Sequence, residues 1–269
     1  MHAQRLGSAV NNTLQAVRYT PQPPRASTIL LLGTDADGYR TDVIMLATVK
    51  DGIPHLVSLP RDTLIQTENG IEKLNAVYAV HGSNEDGIAA LRSVLQDQLG
   101  VQVRNYVLAD LSAFEMLVDE IGGIWYDVPA EMHYADPAQD LQIDLSPGYQ
   151  KLNGMQALGL VRYRNYFLGD IERTKVQQSF LQATIKQIFS DLSPDMMLQL
   201  CRIAAEHLRT DMKLSEMINL AFTLMKCDYG HLVCDTLPGD GTMINGVDYY
   251  CLDYEKTKRV LAPFQNERG

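Results

Sequence analysis

Two short apolar runs, Ile29–Leu32 and Val43–Val49, do most to restrict what this chain can become. Neither alternates polar with apolar residues, so each reads as a strand buried on both faces. A sheet of such strands has to be covered on both sides. Asp51-Gly52 is a strong hairpin turn signal, and His55–Leu59 returns as a third strand ending in Pro60-Arg61-Asp62. The connection between the first two strands, Gly33-Thr-Asp-Ala-Asp-Gly-Tyr-Arg-Thr-Asp42, is polar and carries three aspartates and an arginine. Loops at strand ends, held by a rigid sheet, are where binding and catalytic groups concentrate.

The rest of the chain alternates helical and strand patterns. Residues 1–27, with Pro21, Pro23 and Pro24, read as a tether or loosely docked helix followed by a linker. Leu64–Asn75 reads as irregular, with a turn at Asn69-Gly70. Ser83-Asn84-Glu85-Asp86 resembles a capping box ahead of Ile88, Leu91, Leu95 and Leu99 at helical spacing, and Gly100 ends that helix. Tyr106–Leu108 is a short strand, and Phe114, Leu117, Val118 and Ile121 form a helix face closed by Gly122-Gly123. Ile124–Val128 is a strand, and residues 130–151 read as a polar surface flap. Asn153 caps a helix leading into Val161-Arg162-Tyr163-Arg164. A longer helix begins near Asp170, two more cover about 195–209 and 214–226, and strands near 232–237 and 248–253 pair to close the chain. Strands paired as hairpins and then interleaved with helices predict an α/β fold, a mixed central sheet covered by helices on both faces.

With 269 residues, 46% hydrophobic and 21% charged, this is an ordinary folded chain. Its net charge of -10 argues against nucleic acid as a partner, while leaving room for a small anionic ligand met by a few local arginines. No run of about 18 apolar residues is present to span a bilayer, and Met1–Tyr19 lacks a signal-peptide core. Either the protein is cytoplasmic or an N-terminal anchor precedes this sequence. Cys201, Cys227, Cys234 and Cys251 have spacings unlike a zinc site. Two readings stand: disulfides Cys201–Cys227 and Cys234–Cys251, or four thiols in a reducing compartment.

Asp35, Asp37 and Asp42 are hard oxygen donors suited to magnesium, manganese or calcium, although an acidic turn is the commoner use of such a loop. The arginines change the balance. Helical phase puts Arg173 one turn before Val176 and Gln177, leaning toward the buried side. Arg162 and Arg164 follow an apolar helix, and Arg61 ends a buried strand. Guanidinium groups about 4–8 Å apart repel by about 2–4 kcal/mol at an effective dielectric near 20. Their convergence therefore requires an anion or matching carboxylates, and the planar fork of arginine suits phosphate oxygens. Simple ion pairs, Arg61–Asp42 or Arg173–Asp170, are the competing explanation.

Ile-Leu-Leu-Leu-Gly-Thr-Asp (29–35), Thr-Asp-Val-Ile-Met-Leu (41–46), Ser-Leu-Pro-Arg-Asp (58–62), Lys73-Leu74-Asn75, Gly122-Gly-Ile124, Leu152-Asn-Gly-Met-Gln-Ala157, Val161-Arg-Tyr-Arg164 and Glu172-Arg173…Gln177-Gln178 together resemble the LytR-CpsA-Psr family, in its order, over about 28–190. The resemblance implies one catalytic domain over 28–269, with 194–269 a less recognisable extension, on the extracytoplasmic face of a bacterial membrane and tethered by an N-terminal helix. It implies transfer of a glycopolymer, such as wall teichoic acid or capsular polysaccharide, from a polyprenyl diphosphate carrier to peptidoglycan. By the same resemblance Asp35 and Asp42 bind Mg2+, with Mn2+ as a substitute, and Arg61, Arg164 and Arg173 hold the diphosphate. Arg162 and Gln177 sit in the same motifs. The sequence departs from the pattern at Asp37, where an arginine is common, and Arg40 is a candidate to replace it. Phe114, Leu117, Val118, Phe180, Leu181 and Ile185 are candidates to line a lipid pocket or to be plain core.

Phosphoryl transfer needs positioning and charge neutralisation more than a covalent protein group. The implied reaction is attack of a sugar hydroxyl on the phosphorus next to the polymer, with Asp35 the candidate to take the proton. A hydrolase of the same prenyl diphosphates and a non-catalytic wall- or lipid-binding module are the alternatives. His207 and His231 are isolated and suggest no metal site.

Overall fold

Strand β1 (Thr28–Thr34) lies in the middle of a six-stranded sheet, parallel to β6 (Val103–Ala109) on one side and antiparallel to β2 (Thr41–Lys50) on the other. The computed structural model describes residues 28–34, 38–68, 70–136, 141–163, 170–190 and 194–265. Beyond β2 the sheet continues through β3 (Ile53–Ser58), and its strand order is completed by β11 (Arg209–Thr210) beside β6 and β12 (Val233–Thr236) beside β3. The β2–β3 turn, Asp51-Gly52, has both residues at positive φ, 53° and 77°, as a tight hairpin between right-twisted strands requires.

Both faces of this sheet are buried, as the apolar runs demand. Leu30, Leu32, Ile44, Leu46 and Val57 point into one core, which is covered by helices α1 (Leu74–Val80), α2 (Glu85–Leu99) and α8 (Tyr254–Leu261). Ile29, Met45 and Leu56, one residue out of phase, are buried on the opposite face. The α2 N-cap is Asn84, whose side chain accepts from the Asp86 amide, and its C-cap Gly100 is left-handed at φ 67°.

A second core gathers α3 (Leu111–Glu120), α4 (Gly154–Arg162) and α5 (Asp170–Ser190) around β7 (Ile124–Val128) and β10 (Gly148–Leu152), with the hairpin β8 (Met132–Asp136)–β9 (Leu141–Leu145). The predicted flap is therefore wrong. Met132, Ile143, Leu145 and Leu152 are at most 3% exposed, and the polar residues that suggested a flap occupy the alternate, outward positions. Leu64–Asn75 is likewise ordered: β4 (Leu64–Thr67) and β5 (Gly70–Lys73) form a hairpin.

Two further helices, α6 (Pro194–His207) and α7 (Leu214–Leu224), follow, as expected. The expected closing pair is corrected. β12 joins the central sheet parallel to β3, and a new strand, β13 (Gly239–Ile244), pairs with β14 (Val247–Leu252). The turn Asn245-Gly246, at φ 51° and 80°, makes that hairpin possible. All four cysteines are free thiols; Cys234 and Cys251 stand on strands of different sheets. The region 194–269 thus supplies both outer strands of the main sheet and is integral to it. No helix of the described residues is long and apolar enough to cross a membrane.

Candidate active site

The loop after β1 is framed before its side chains matter. Thr34 and Thr41 pair across its base and are both buried, and the β1–β2 register shifts at Gly33/Thr34. A Cβ on Gly33 would sit 3.1 Å from the Cβ of Val43, so the close approach of the two strands favours glycine. On the far side Ser83 Oγ donates to the Tyr39 carbonyl at 3.1 Å, while Tyr39 and Arg40 are exposed. Asp35 and Asp37 lie outside the described residues.

Asp42, one residue into β2, is partly buried on the strand face it shares with Ile44 and Leu46, at the end where that core face meets solvent. Arg61 Nη1 donates to Asp42 Oδ1 at 2.7 Å. Their side chains are 25% and 32% exposed, and an ion pair that wet contributes at most about 1 kcal/mol. Its larger effect is orientation, since each group fixes the other's rotamer at the mouth of the sheet.

Arg61 stands on a stiff turn. The Thr63 amide and hydroxyl both donate to the Pro60 carbonyl, at 2.9 and 2.6 Å. The Asn75 amide donates to the Arg61 carbonyl at 3.0 Å and the Leu74 amide to that of Thr63 at 2.9 Å, which ties the turn to the start of α1. Asp62 Oδ2 lies 3.7 Å from Arg61 Nε, and Asp62 Oδ1 lies 2.8 Å from Lys73 Nζ. Asp42, Arg61, Asp62 and Lys73 therefore alternate in sign, so carboxylates answer the charge of Arg61 here, as the ion-pair reading expected.

One contributor had no signature in the sequence. The Tyr250 amide donates to the Asp62 carbonyl at 2.8 Å, Thr63 bridges to Tyr250, and the Tyr250 hydroxyl donates to the Leu237 carbonyl at 3.0 Å. Lys73 Nζ lies 5.9 Å from the ring centre of Tyr249. The β13–β14 hairpin thus clasps the Arg61 turn through its backbone, which any residue but proline could do.

Arg162 closes α4 and is partly buried. Arg164 and the side chain of Arg173 lie outside the described residues. Two glutamines of α5 anchor that helix. Gln177 Nε2 donates to the Val161 carbonyl at 2.9 Å, joining α5 to α4. Gln178 donates to the Asp235 carbonyl at 3.4 Å and to Thr236 Oγ1, joining α5 to β12. Gln177, expected to meet substrate, spends an amide hydrogen on the backbone that carries Arg162.

The six lipid-pocket candidates separate into two groups. Val118 and Phe180 are 1% and 2% exposed inside the second core. Phe180 meets Phe114 and Tyr126 edge-on, with ring centres 6.3 and 5.3 Å apart. Leu117, Leu181 and Ile185 are partly buried outside that cluster. Among the described residues no group of three His, Cys, Asp or Glu side chains is arranged to hold a metal ion. Asp42 still suits a divalent cation in kind, being a hard, partly accessible carboxylate whose oxygens each accept more than one partner.

A model of the LytR_cpsA_psr family matches residues 2–265. The chain belongs to this family. It is 30% identical over 222 residues to an uncharacterized protein of Staphylococcus aureus, a match covering 81% of this chain and 53% of the relative. To the polyisoprenyl-teichoic acid–peptidoglycan teichoic acid transferase TagU of Enterococcus faecalis it is 27% identical over 250 residues, 89% of this chain and 78% of the relative. To the transferase of the same description, TagV, from Bacillus subtilis it is 28% identical over 238 residues, 84% of this chain and 59% of the relative. The chain thus spans only about half the length of the staphylococcal relative. Among solved structures, B. subtilis TagV superposes with a TM-score of 0.76 at 23% identity, covering 90% of this chain and 97% of that one. A LytR-Csp2A-Psr enzyme from Actinomyces oris gives 0.72 at 24% identity, covering 92% and 93%. At such identities these matches establish the fold: this chain has the LytR_cpsA_psr architecture, with a mixed sheet between helices.

Proposed function

We propose that this LytR_cpsA_psr chain is a phosphotransferase. It moves a glycopolymer phosphate from a polyprenyl diphosphate carrier to a peptidoglycan sugar hydroxyl, at the extracytoplasmic face of a bacterial membrane. The observation that carries the reading is the Asp42–Arg61 contact, which brings two separate family motifs together where the buried strands open to solvent. The relatives named as teichoic acid transferases supply the substrate class.

The chain's own groups divide the work. Arg61, held by Asp42 and the Pro60–Thr63 turn, offers its fork to phosphate oxygens without reorganising when charge develops. Arg164 and Arg173 complete the charge balance on the transferring and leaving phosphates, with Arg162 and Arg40 in support. Asp35 and Asp42 would hold Mg2+, which supplies charge neutralisation at the diphosphate when bound. As the acceptor hydroxyl oxygen bonds to the phosphorus next to the polymer, Asp35 takes its proton and the bond to the polyprenyl phosphate breaks. Leu117, Leu181 and Ile185, being partly buried, are better candidates to meet the prenyl chain than the core residues Val118 and Phe180.

The test is incubation with a short lipid-diphosphate oligosaccharide, with and without peptidoglycan oligomers. A sugar–sugar phosphodiester formed only with acceptor is the expected product. Arg61→Ala should lower its rate by about 10²–10³-fold, as loss of a preorganised charge-stabilising donor does. Arg61→Lys should fall between, keeping the charge and losing the fork. Release of phosphate monoester without phosphodiester would replace transfer by hydrolysis. Lipid binding that survives both Asp42→Asn and Arg61→Ala, with no turnover, would leave a binding module.

A further inference from the structure

On the outer face of the β7–β10 pair, Trp125 and Tyr149 stack in the open. Ile124, Tyr126 and Val128 point into the second core, so Trp125 and Asp127 must point out. The antiparallel register sets Lys151 opposite Trp125 and Tyr149 opposite Asp127, which makes the two aromatic residues diagonal neighbours. Their rings are 5.4 Å apart and within 14° of parallel. Trp125 is 46% exposed and Tyr149 71%. An outward sheet face normally carries polar residues, so a large open aromatic surface here asks for a ligand.

Beside the stack is a cavity of about 170 Å3 bounded by Ile121, Gly123, Trp125, Lys151, Gln187 and Met196. Gly123, one of the lining residues, has to be glycine: its φ is 87°, and a Cβ there would sit 2.7 Å from the Leu152 carbonyl oxygen and 3.3 Å from Lys151 Cε. Its rim is rigid. The Trp125 amide donates to Gln187 Oε1 at 2.8 Å and Gln187 Nε2 donates back to the Trp125 carbonyl at 2.7 Å. Lys151 forms no ion pair among the described residues, in a chain of net charge -10.

We infer that this face binds one anionic sugar unit of a glycan chain. A pyranose ring has an apolar C–H face that suits an aromatic surface, and hydroxyls and amides around its rim. The Trp125–Tyr149 stack takes the C–H face, Lys151 takes a carboxylate or phosphate on the sugar, and Asp127 accepts from hydroxyls at the other end. Lys151 and Asp127 form the other diagonal of the same two-strand patch, about 7–8 Å apart, comparable to the length of one such ring. Lipid tails would leave the uncompensated lysine against hydrocarbon, which disfavours them. Gln187 lies fourteen residues along α5 from Arg173, about 21 Å by helical rise, so a glycan held here could extend several sugar units toward the reacting end. That last step rests on the proposed transfer; the binding does not.

Trp125 is the sole tryptophan, so its emission reports the site directly and without turnover. The intact protein is titrated with an N-acetylglucosamine–N-acetylmuramic acid tetrasaccharide, with neutral chitotetraose, and with a phosphate-bearing teichoic acid fragment. A saturable emission change is expected, at least threefold tighter for an anionic glycan than for chitotetraose, with the gap closing in high salt. The tighter of the two anionic ligands identifies the source, peptidoglycan or glycopolymer. Tyr149→Ala should weaken binding about threefold to tenfold, and Lys151→Gln should remove the preference for anions. Both side chains are at the surface, so unchanged thermal melting checks the fold. No saturable change with any of the three ligands, or binding indifferent to both substitutions, overturns the inference. Transferase failure with binding intact would overturn only the proposed reaction.

Discussion

Two glycines of α4 should respond to alanine in opposite directions. A Cβ on Gly154 would overlap the Glu115 carbonyl oxygen and lie 2.7 Å from Glu115 Cγ and 2.8 Å from Asp119 Oδ2. The Gly154 amide also donates to Asp119 Oδ1 at 2.6 Å, so the first turn of α4 lies directly on α3. Gly154→Ala forces the helices apart, at about 1–3 kcal/mol for overpacking, and weakens a charge-assisted hydrogen bond. A net loss of about 2–4 kcal/mol corresponds to a melting temperature about 5–15 °C lower in a chain of this size. Gly159 is the internal control. Its added Cβ would have Ile143 as nearest neighbour, at 3.4–3.8 Å, which is ordinary contact, and alanine raises helix propensity by up to about 1 kcal/mol. Gly159→Ala should leave the melting temperature unchanged or a few degrees higher. Circular dichroism melts of both variants decide it. Equal losses, or a Gly154→Ala variant as stable as the parent, would refute the close α3–α4 approach. Because α4 carries Arg162 and the Val161 carbonyl that anchors Gln177, Gly154→Ala should lower turnover even below its melting range.

Two pH effects follow from groups outside the site. His55 on β3 is held below the ordinary imidazole range by burial, helped by Lys50 and opposed by Asp235 and Asp51. The unfolded chain therefore binds the proton more readily, and stability falls as pH drops through about 6.5. Urea midpoints at pH 7.5 and 5.5 should differ less in His55→Gln than in the parent. At Asp211, burial pushes the carboxyl up, but hydrogen bonds from Arg92, the Tyr106 amide and Asn105 together hold it below the usual range. Its contribution is present above about pH 4 and is lost as pH falls further through the folded value. Asp211→Asn should cost about 1 kcal/mol at pH 7, discounted for its 32% exposure, and flatten the acid limb of the urea midpoint below pH 4.

How much of this was legible depended on whether a signal was local. Ile29–Leu32, Val43–Val49 and Asp51-Gly52 specify their strands and turn within a few residues, and Asn153 with Gln156 forms a capping box readable from four letters. The β8–β9 hairpin was lost because its inward residues, Met132, Ile143 and Leu145, are few and separated by His133, Gln142 and Asp144. Val233–Thr236 reads as a strand, but nothing in it states that its partner is β3, far back in the chain. The same division holds at the site. Asp42 and Arg61 carry charge and could be nominated, whereas Tyr250 acts through its amide and leaves no trace in residue type.

The placement of β11 and β12 bears on how this protein is made. A sheet whose strands appear in the order β11-β6-β1-β2-β3-β12 has its first four strands finished by residue 109, yet β6 and β3 keep open hydrogen-bonding rims until residues 209 and 233 arrive. During synthesis the most apolar part of the chain is thus an unprotected template for pairing with other chains. Fragments ending near Ser190 should aggregate rather than fold, although they contain nearly every recognisable motif. The least recognisable quarter of the sequence is what makes the recognisable part soluble.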